Sequence, residues 1–215
     1  MFVRSCWKPW DLDAAYALIE ANPWALLVNN GPDGPFATNL PLLVDRTRGP
    51  HGVLIGHIAA ANLHTRALVA AAEPTLAIFE GPVSYVTASW YPRRDMPSTY
   101  YYTAVHCYGR IAVQPAAELE SALGTLNDRM ERPIPGGWRM DEIPHSEITR
   151  RLPGIVGFEL TIDRLEAKFK LGQDEPRKDA MAVAERLAAS STASDRELAE
   201  MIRRANQDRP LDPAS

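Results

Sequence analysis

The stretch WALLVNNGPDGPFATNLPLLV, residues 24–44, decides the fold class. Two apolar runs, at 24–29 and 36–44, flank the segment NGPDGP at 30–35, which is dense in turn-forming residues. Short apolar runs on either side of a segment rich in Gly and Pro are typical of two strands joined by a turn. This stretch therefore predicts a strand, a turn and a second strand.

Further strands and a few helices are predicted on both sides of this stretch. Helices are predicted at 10–22, capped by Asp11, at 59–72, with Asn62 near its start, and at 116–130. The other predicted strands are 53–58, 75–80, 85–90, 102–113, 155–162 and 165–171, the last two forming a hairpin that turns at 163–164. At least seven short strands without a regular strand–helix–strand alternation favour an α+β fold built on a closed or split antiparallel barrel.

The chain is predicted to form one domain. Residues 1–175 hold the predicted strands, and from 176 to 215 the composition shifts toward Ala, Arg, Glu and Ser. The second segment predicts two short helices, and we expect it to be a peripheral helical tail of the same domain. Neither an internal repeat nor a long linker interrupts the sequence.

Composition and charge narrow the function classes. The 215 residues are 46% apolar and 23% charged, as in globular proteins. Lys plus Arg is 23 against 27 for Asp plus Glu, a formal net charge of −4, which argues against a nucleic-acid partner. Since the sequence also lacks a membrane-length apolar run and the apolar core of a signal peptide, we expect a cytoplasmic protein with no membrane partner. Two cysteines are too few for a disulfide framework or a four-thiolate metal site.

Generic catalytic motifs do not identify a reaction. The sequence has neither a Gly-rich phosphate loop nor a Gly-x-Ser-x-Gly nucleophile motif. Aromatic residues and one histidine are dense in one region, namely Tyr85, Trp90, Tyr91, Tyr100, Tyr101, Tyr102, His106 and Tyr108. Such a cluster is typical of barrel packing or of the wall of a pocket for a flat aromatic cofactor. His57, inward on a predicted strand, is a core histidine or a ligand, and His64, at a helix start, is exposed or directed into a cleft.

Seven short segments in one order resemble a known family. They are ATNLP at 37–41, GHIAAAN at 56–62, IFEGP at 78–82, SWYP at 89–92, YTAVHCYG at 102–109, IVGFE at 155–159 and KFKLGQ at 168–173. Together they resemble the PaiB family, split-barrel proteins described as FMN-binding negative transcriptional regulators. The resemblance covers about residues 1–175. It implies a six-stranded split β-barrel with flanking helices, and a homodimer with its cofactor at the subunit interface.

The central motif departs from the flavin-type pattern. PaiB-like chains typically have Arg-Gly-His-x-Ala-Arg-Ala-Asn-Pro-Gln-Trp, and here residues 55–65 are IGHIAAANLHT. Two arginines suited to a flavin phosphate are missing, and His64 appears at the start of the helix. This combination is similar to the haem-dependent branch of the fold, the piperazate synthases of nonribosomal peptide antibiotic biosynthesis. That resemblance implies haem b with His64 as the axial iron ligand, and His57 is the fallback.

The resemblance also implies a reaction and a set of site residues. A piperazate synthase cyclises N5-hydroxy-L-ornithine to L-piperazic acid, forming an N–N bond with loss of water. We name Tyr101, Tyr102 and Lys170 as candidates for proton transfer, although each tyrosine could pack and Lys170 could bind a propionate or form a salt bridge. The candidate cofactor contacts are His64, His57, Asn62, Trp90, Arg66 and Arg93 or its neighbour Arg94.

Three alternatives stay open from the sequence. The first is a PaiB-like FMN-binding negative transcriptional regulator, which predicts FMN in the purified protein. The second is a haem protein of different chemistry, such as a haem-degrading oxygenase, which would consume O2 and reductant. The third is a binding module without a cofactor, because a fold by itself does not determine a function.

Overall fold

The sheet has six strands within the described part of the chain. The computed structural model describes residues 1–31, 34–70 and 74–210. The strands are β1 (Trp24–Gly31), β2 (Gly34–Asp45), β3 (Val53–Ala59), β4 (Thr75–Val86), β5 (Thr99–Val113) and β6 (Ile155–Lys170). They hydrogen-bond in the order β1-β2-β3-β6-β5-β4 and close into a barrel. The predicted six-stranded α+β barrel is therefore confirmed.

The strand–turn–strand prediction at 24–44 is confirmed by the register of β1 and β2. The two strands pair antiparallel from Trp24↔Pro41 to Gly31↔Gly34. Of the predicted turn, residues 32 and 33 lie outside the described residues. β1 also pairs antiparallel with β4, as do β2 with β3 and β3 with β6.

Two of the strand predictions are wrong. Residues 155–171 do not form a hairpin, because β6 runs unbroken through the predicted turn at 163–164. The predicted strand at 85–90 is divided between the end of β4 and a short 3-10 helix at Ala88–Trp90.

One glycine permits close strand contact within the barrel. A Cβ atom on Gly109 of β5 would lie 1.9 Å from the backbone oxygen of Thr161 on β6. Because that distance is far below van der Waals contact, only a residue without a side chain fits there. A glycine within a strand often marks such a close approach of another backbone.

Six α-helices accompany the strands in the described residues. They are α1 (Leu12–Ala21), α2 (Leu63–Ala70), α3 (Ala116–Glu131), α4 (His145–Arg151), α5 (Arg177–Ala188) and α6 (Ala193–Asn206). The predicted cap of α1 is confirmed, because Asp11 Oδ1 accepts a 2.7 Å hydrogen bond from the Ala14 amide. The helix predicted at 59–72 begins later, at Leu63, because Ala59 still belongs to β3, and residues 71 and 72 lie outside the described residues. No described helix has the length and apolar character that crossing a membrane requires.

The chain divides into two compact units, each assembled from separate segments. Unit 1 comprises Met1–Asn22, Phe79–His106 and the chain from Glu166 onward. Unit 2 comprises Pro23–Ile78 and Cys107–Leu165.

The C-terminal segment is not peripheral, contrary to our expectation. Its two predicted helices exist as α5 and α6, and both bury an apolar face in unit 1. The buried apolar residues are Ala180, Val183, Ala184, Leu187, Leu198, Ala199 and Ile202, none more than 2% exposed. Those on α5 recur at the spacing of a single helix face, so the segment forms part of the core.

Candidate functional site

His64 is a buried residue of unit 2, held on both sides of its ring. It lies in the first turn of α2, and its backbone amide donates a 3.0 Å hydrogen bond to Asn62 Oδ1. Its Nε2 lies 2.8 Å from Asn29 Oδ1 and its Nδ1 lies 2.7 Å from Thr38 Oγ1. The ring stacks on Phe36 with centroids 5.5 Å apart, and only 1% of the residue is exposed.

These contacts fix the protonation of the imidazole. Burial lowers the pKa of His64 below its ordinary value of 6.5, so the neutral ring is favoured at neutral pH. With the Asn29 amide oriented so that Oδ1 faces the ring, Nε2 carries the proton and Nδ1 keeps a lone pair, and Nδ2 of the same amide is buried without a hydrogen-bond partner among the described residues. The Thr38 hydroxyl donates to that lone pair. The ring is thus a neutral base in one tautomer, with its basic nitrogen covered by Thr38.

The position of His64 corrects one expectation and adds three residues to the site. The side chain is neither exposed nor open to a cleft, because both ring nitrogens have partners. Asn29, Phe36 and Thr38 were missed by sequence reasoning. The β1–β2 register pairs Asn29 with Phe36, and Thr38 follows Phe36 on the same strand face, so the hairpin alternation was the available signal.

His57 occupies a different environment in unit 2. It is half-buried on β3, and burial lowers its pKa below the ordinary 6.5. Its side chain has no hydrogen-bond partner among the residues that the structure describes. It lines a cavity of about 340 Å³ whose other walls are largely apolar and include Leu126, Met130, Trp138 and Ile155. An unpartnered imidazole in an apolar cavity can serve as a hydrogen-bonding or metal-ligating anchor.

Asn62 and Arg66 flank His64 in sequence but differ in role. Asn62 supports the site, because its Nδ2 also lies 3.5 Å from Thr38 Oγ1. Arg66 is exposed on α2 and is available to an anionic group. The structure therefore brings Asn62 together with His64 and leaves Arg66 at the surface.

In unit 1, Tyr101 is a core residue whose hydroxyl has a buried partner. It is completely buried, and its hydroxyl donates a hydrogen bond to the carboxylate of Glu175. Burial, together with this bond, raises the pKa of Tyr101 far above its ordinary value of 10. The hydroxyl of Tyr101 is therefore buried and engaged by Glu175, and its acid–base role stays a prediction.

Tyr102 and Lys170, the other candidates for proton transfer, remain accessible. Tyr102 is half-buried on β5, and the ammonium of Lys168 lies 5.1 Å from its ring centroid. Lys170 is half-buried at the end of β6 and donates a hydrogen bond to Thr99 Oγ1. Lys168, which the sequence had not indicated as a site residue, is buried, and both its Nζ and that of Lys170 lie within 6 Å of the Trp7 ring centroid.

The aromatic-rich segment divides between core and surface. Tyr91 and Tyr101 are buried, whereas Tyr85 and Tyr100 are exposed and meet edge to face at 5.5 Å. Trp90 is half-buried at the end of a 3-10 helix, and Arg93 and Arg94 in the following loop are exposed. Core packing therefore explains the aromatic side chains of Tyr91 and Tyr101 but not those of Tyr85 and Tyr100.

Comparisons with known proteins agree with this fold. A relative from Bacillus subtilis, "Protease synthase and sporulation protein PAI 2", is 28% identical over 202 residues, covering 94% of this chain and 96% of its own. A solved FAD- and haem-binding protein from Mycobacterium smegmatis is similar with a TM-score of 0.55 and 16% identity, covering 76% of this chain and 73% of its own. The flavocytochrome Anf3 from Azotobacter vinelandii is similar with a TM-score of 0.54 and 15% identity, covering 76% and 69%. At such identities the two structures indicate the fold alone.

A family model also matches most of the sequence. Its description is "Putative FMN-binding domain", and the match covers residues 1–164 of the 215. The matched part contains His57, Asn62, His64 and all of β1 to β5. The chain belongs to this FMN-binding domain family.

Proposed function

We propose that this protein is a haem-dependent cyclase that converts N5-hydroxy-L-ornithine to L-piperazic acid and acts as a homodimer, with haem b held by His64. The observation that carries the proposal is the neutral imidazole of His64, fixed in one tautomer between Asn29 and Thr38. It stands at a position where the flavin-type pattern has no histidine. The family match and the FAD- and haem-binding neighbour support flavin and haem as the two cofactor classes to test.

His64 has one feature of an axial iron ligand, namely an oxygen acceptor for the ring N–H. Metal-bound imidazoles usually donate their other ring N–H to an oxygen acceptor, and Asn29 Oδ1 is placed to accept it. The free lone pair then resides on Nδ1, where Thr38 now donates, so ligation requires Thr38 to give up that hydrogen bond. His57 is the second candidate ligand, because none of the described residues hydrogen-bonds its ring.

The distribution of cations supports haem over FMN. A flavin phosphate is a dianion that is best bound by arginines or helix-terminal amides. The two arginine positions of the flavin-type pattern hold Ile55, which is half-buried, and Ala60, which is exposed. Arg66, exposed on α2 two residues after His64, is available to a single propionate.

The proposed reaction is a dehydration and needs no external oxidant or reductant. The α-nitrogen donates its electron pair to N5 and forms the N–N bond as the N5–O bond breaks. The α-ammonium loses one proton and the departing hydroxyl gains one, so the products are the ring and water. Bound haem would supply a Lewis-acidic iron that draws electron density from the hydroxylamine.

The protein's own contribution would be positioning and proton transfer. Holding the flexible substrate with its two nitrogens in contact makes ring closure effectively unimolecular. Tyr102 and Lys170 are the groups we assign to proton transfer in unit 1, since each keeps a polar end that is not fully buried.

The first experiment is the visible spectrum of the full-length protein expressed with a haem precursor, followed by an assay of N5-hydroxy-L-ornithine. Haem ligated by His64 gives a Soret band at about 400 nm that collapses or shifts in His64→Ala. His57→Ala tests the second ligand, and His145→Ala, whose side chain is 73% exposed, is the matched control. A flavin spectrum without a Soret band would overturn the proposal in favour of an FMN-binding protein.

A further inference from the structure

Lys168 is a buried cation on β6 of unit 1. Because side chains alternate along a strand, Glu166, Lys168 and Lys170 share one face, and Phe169, which is 1% exposed, points into the core. Lys168 is only 8% exposed, although lysine is among the residues most rarely buried without a charged partner.

Aromatic rings surround the Lys168 ammonium. Its Nζ lies 4.5 Å from the ring centroid of Trp7, 5.1 Å from that of Tyr102 and 5.9 Å from that of Phe2. Ring faces attract a cation, most strongly when it is desolvated. They accept no conventional hydrogen bond, so the three N–H donors of the ammonium are not satisfied by these rings.

The neighbouring carboxylates in this unit are bonded to other groups. Asp174 accepts hydrogen bonds of 2.9 Å from Arg4 and 3.0 Å from Trp7 Nε1. Glu166 binds the N-terminal ammonium. Lys168 itself has neither a hydrogen bond nor an ion pair among the described residues.

A second cation lies beside the same aromatic wall. The Nζ of Lys170 is 5.8 Å from the Trp7 ring centroid and donates to Thr99 Oγ1. The edge of the cluster is open to solvent, because Phe2 is 74% exposed and Tyr102 is half-buried. An anion that enters here would meet a desolvated ammonium, where a charge-assisted hydrogen bond is stronger than in water.

We infer that Lys168, with Lys170 beside it, forms a subsite for the carboxylate of an amino-acid ligand, walled by Trp7 and Tyr102. The inference rests on the proposed function only for the chemical class of the ligand, an amino acid with a free α-carboxylate. It adds a specificity-determining residue that the resemblance and the comparisons do not assign.

The test measures binding rather than turnover. L-ornithine and 5-aminopentanoate carry a carboxylate, and 1,4-diaminobutane is ornithine without it. Isothermal titration calorimetry with the full-length protein measures the three affinities. We expect L-ornithine and 5-aminopentanoate each to bind at least about tenfold more tightly than 1,4-diaminobutane. Lys168→Met should abolish this preference, Lys168→Arg should retain most of it, and Lys8→Met, which removes a charge from an exposed position, should leave it unchanged.

Two results would overturn the subsite. One is the absence of a carboxylate preference in the unmodified protein, and the other is an unchanged preference in Lys168→Met, which would leave Lys168 as a packed cation only. Circular dichroism confirms folding, and Lys168→Gln, which is neutral but polar, replaces a Lys168→Met variant that fails to fold.

The subsite and the proposed function can fail separately. A preference that Lys168→Met abolishes, in a protein that neither binds haem nor cyclises the substrate, supports the subsite and refutes the proposed function. If Lys168→Met and the unmodified protein turn over N5-hydroxy-L-ornithine with the same KM, the proposed function is supported and the subsite is refuted.

Discussion

The hydroxyl of Tyr101 donates a hydrogen bond to the carboxylate of Glu175 in the interior of unit 1. Tyr101 has no exposed surface, and Glu175 is 7% exposed. The bond joins β5 to the loop before α5. Glu175 would be left without this donor if the phenol were removed.

Tyr101→Phe tests that dependence. We expect it to lower the free energy of unfolding by about 1–3 kcal/mol, because it leaves a buried acceptor without its hydrogen bond. Urea denaturation followed by circular dichroism measures the change. Tyr100→Phe, at a position that is 57% exposed, should change stability by less than about 0.5 kcal/mol. Equal effects of the two variants would contradict the structural role of Tyr101.

Thr38→Val tests whether Thr38 restrains His64. The substitution keeps the shape of the side chain and removes the hydroxyl that donates to Nδ1. If His64 is the iron ligand, haem affinity should rise by up to about tenfold, because one competing hydrogen bond is lost. Haem titration followed at the Soret band measures this, and Thr125→Val, exposed on α3, is the control. Unchanged or weaker haem binding in Thr38→Val alone would argue against ligation through Nδ1.

The lowered pKa values of His57 and His64 predict a pH dependence of stability. Burial lowers the pKa of both His57 and His64 from the ordinary 6.5, so the unfolded chain binds more protons than the folded one below that pH. The stability that the neutral rings contribute is present above pH 6.5 and is lost as the pH falls from 6.5 to the lowered pKa values. Unfolding midpoints at pH 7.5 and 5.5 should therefore differ more for the unmodified protein than for His64→Gln. The same pH difference in both proteins would exclude His64 as a source.

Gly109→Ala and Gly124→Ala form a matched pair. An added Cβ at Gly109 would lie 1.9 Å from the Thr161 oxygen, whereas nothing lies within 4 Å of one at Gly124. We expect Gly109→Ala to prevent correct pairing of β5 with β6 and to destabilise the protein by more than about 3 kcal/mol. Gly124→Ala, within α3, should stabilise it by up to about 1 kcal/mol. Thermal unfolding of both variants measures these effects, and equal melting temperatures would contradict the close approach.

Ile202→Ala tests the contribution of α6 to the core. Ile202 is fully buried, so the truncation should cost about 2–5 kcal/mol through lost contacts and a cavity. Val69→Ala, at a position that is 58% exposed, is the control and should have little effect. Denaturant titration compares the two, and a small effect of Ile202→Ala would restore the interpretation of this segment as a tail.

Local sequence predicted the elements better than it predicted their continuity. Turn residues around Gly31 and Gly34 correctly marked the junction of β1 and β2, because a tight connection restricts the residue types it accepts. Asp163 and Arg164 resembled a turn but lie inside β6 as exposed strand residues. The Arg164 guanidinium lies 3.6 Å from the Tyr108 ring centroid, a contact between strands that local polarity could not reveal.

In the site, too, local sequence predicted contacts between neighbours in the chain but not contacts between distant segments. Asn62 was predicted at the helix start, where its contact with His64 is local in sequence. The ring contacts of His64 come from Asn29 and Thr38, more than 25 residues away, so they depend on strand register. Lys168 was missed for a similar reason, because its burial depends on Trp7, on a distant segment of the chain.

The interleaved composition of unit 1 has a consequence for synthesis of the protein on the ribosome. This unit draws on Met1–Asn22, a middle segment and the chain from Glu166 onward. Translation proceeds from the N-terminus, so unit 1 cannot be completed until the chain from Glu166 onward, which contains α5 and α6, has been made. Exposed apolar surface on a nascent chain is a target for aggregation and for chaperones. Stalling or truncation after unit 2 is made would thus release a chain in which one unit is complete and the other is not.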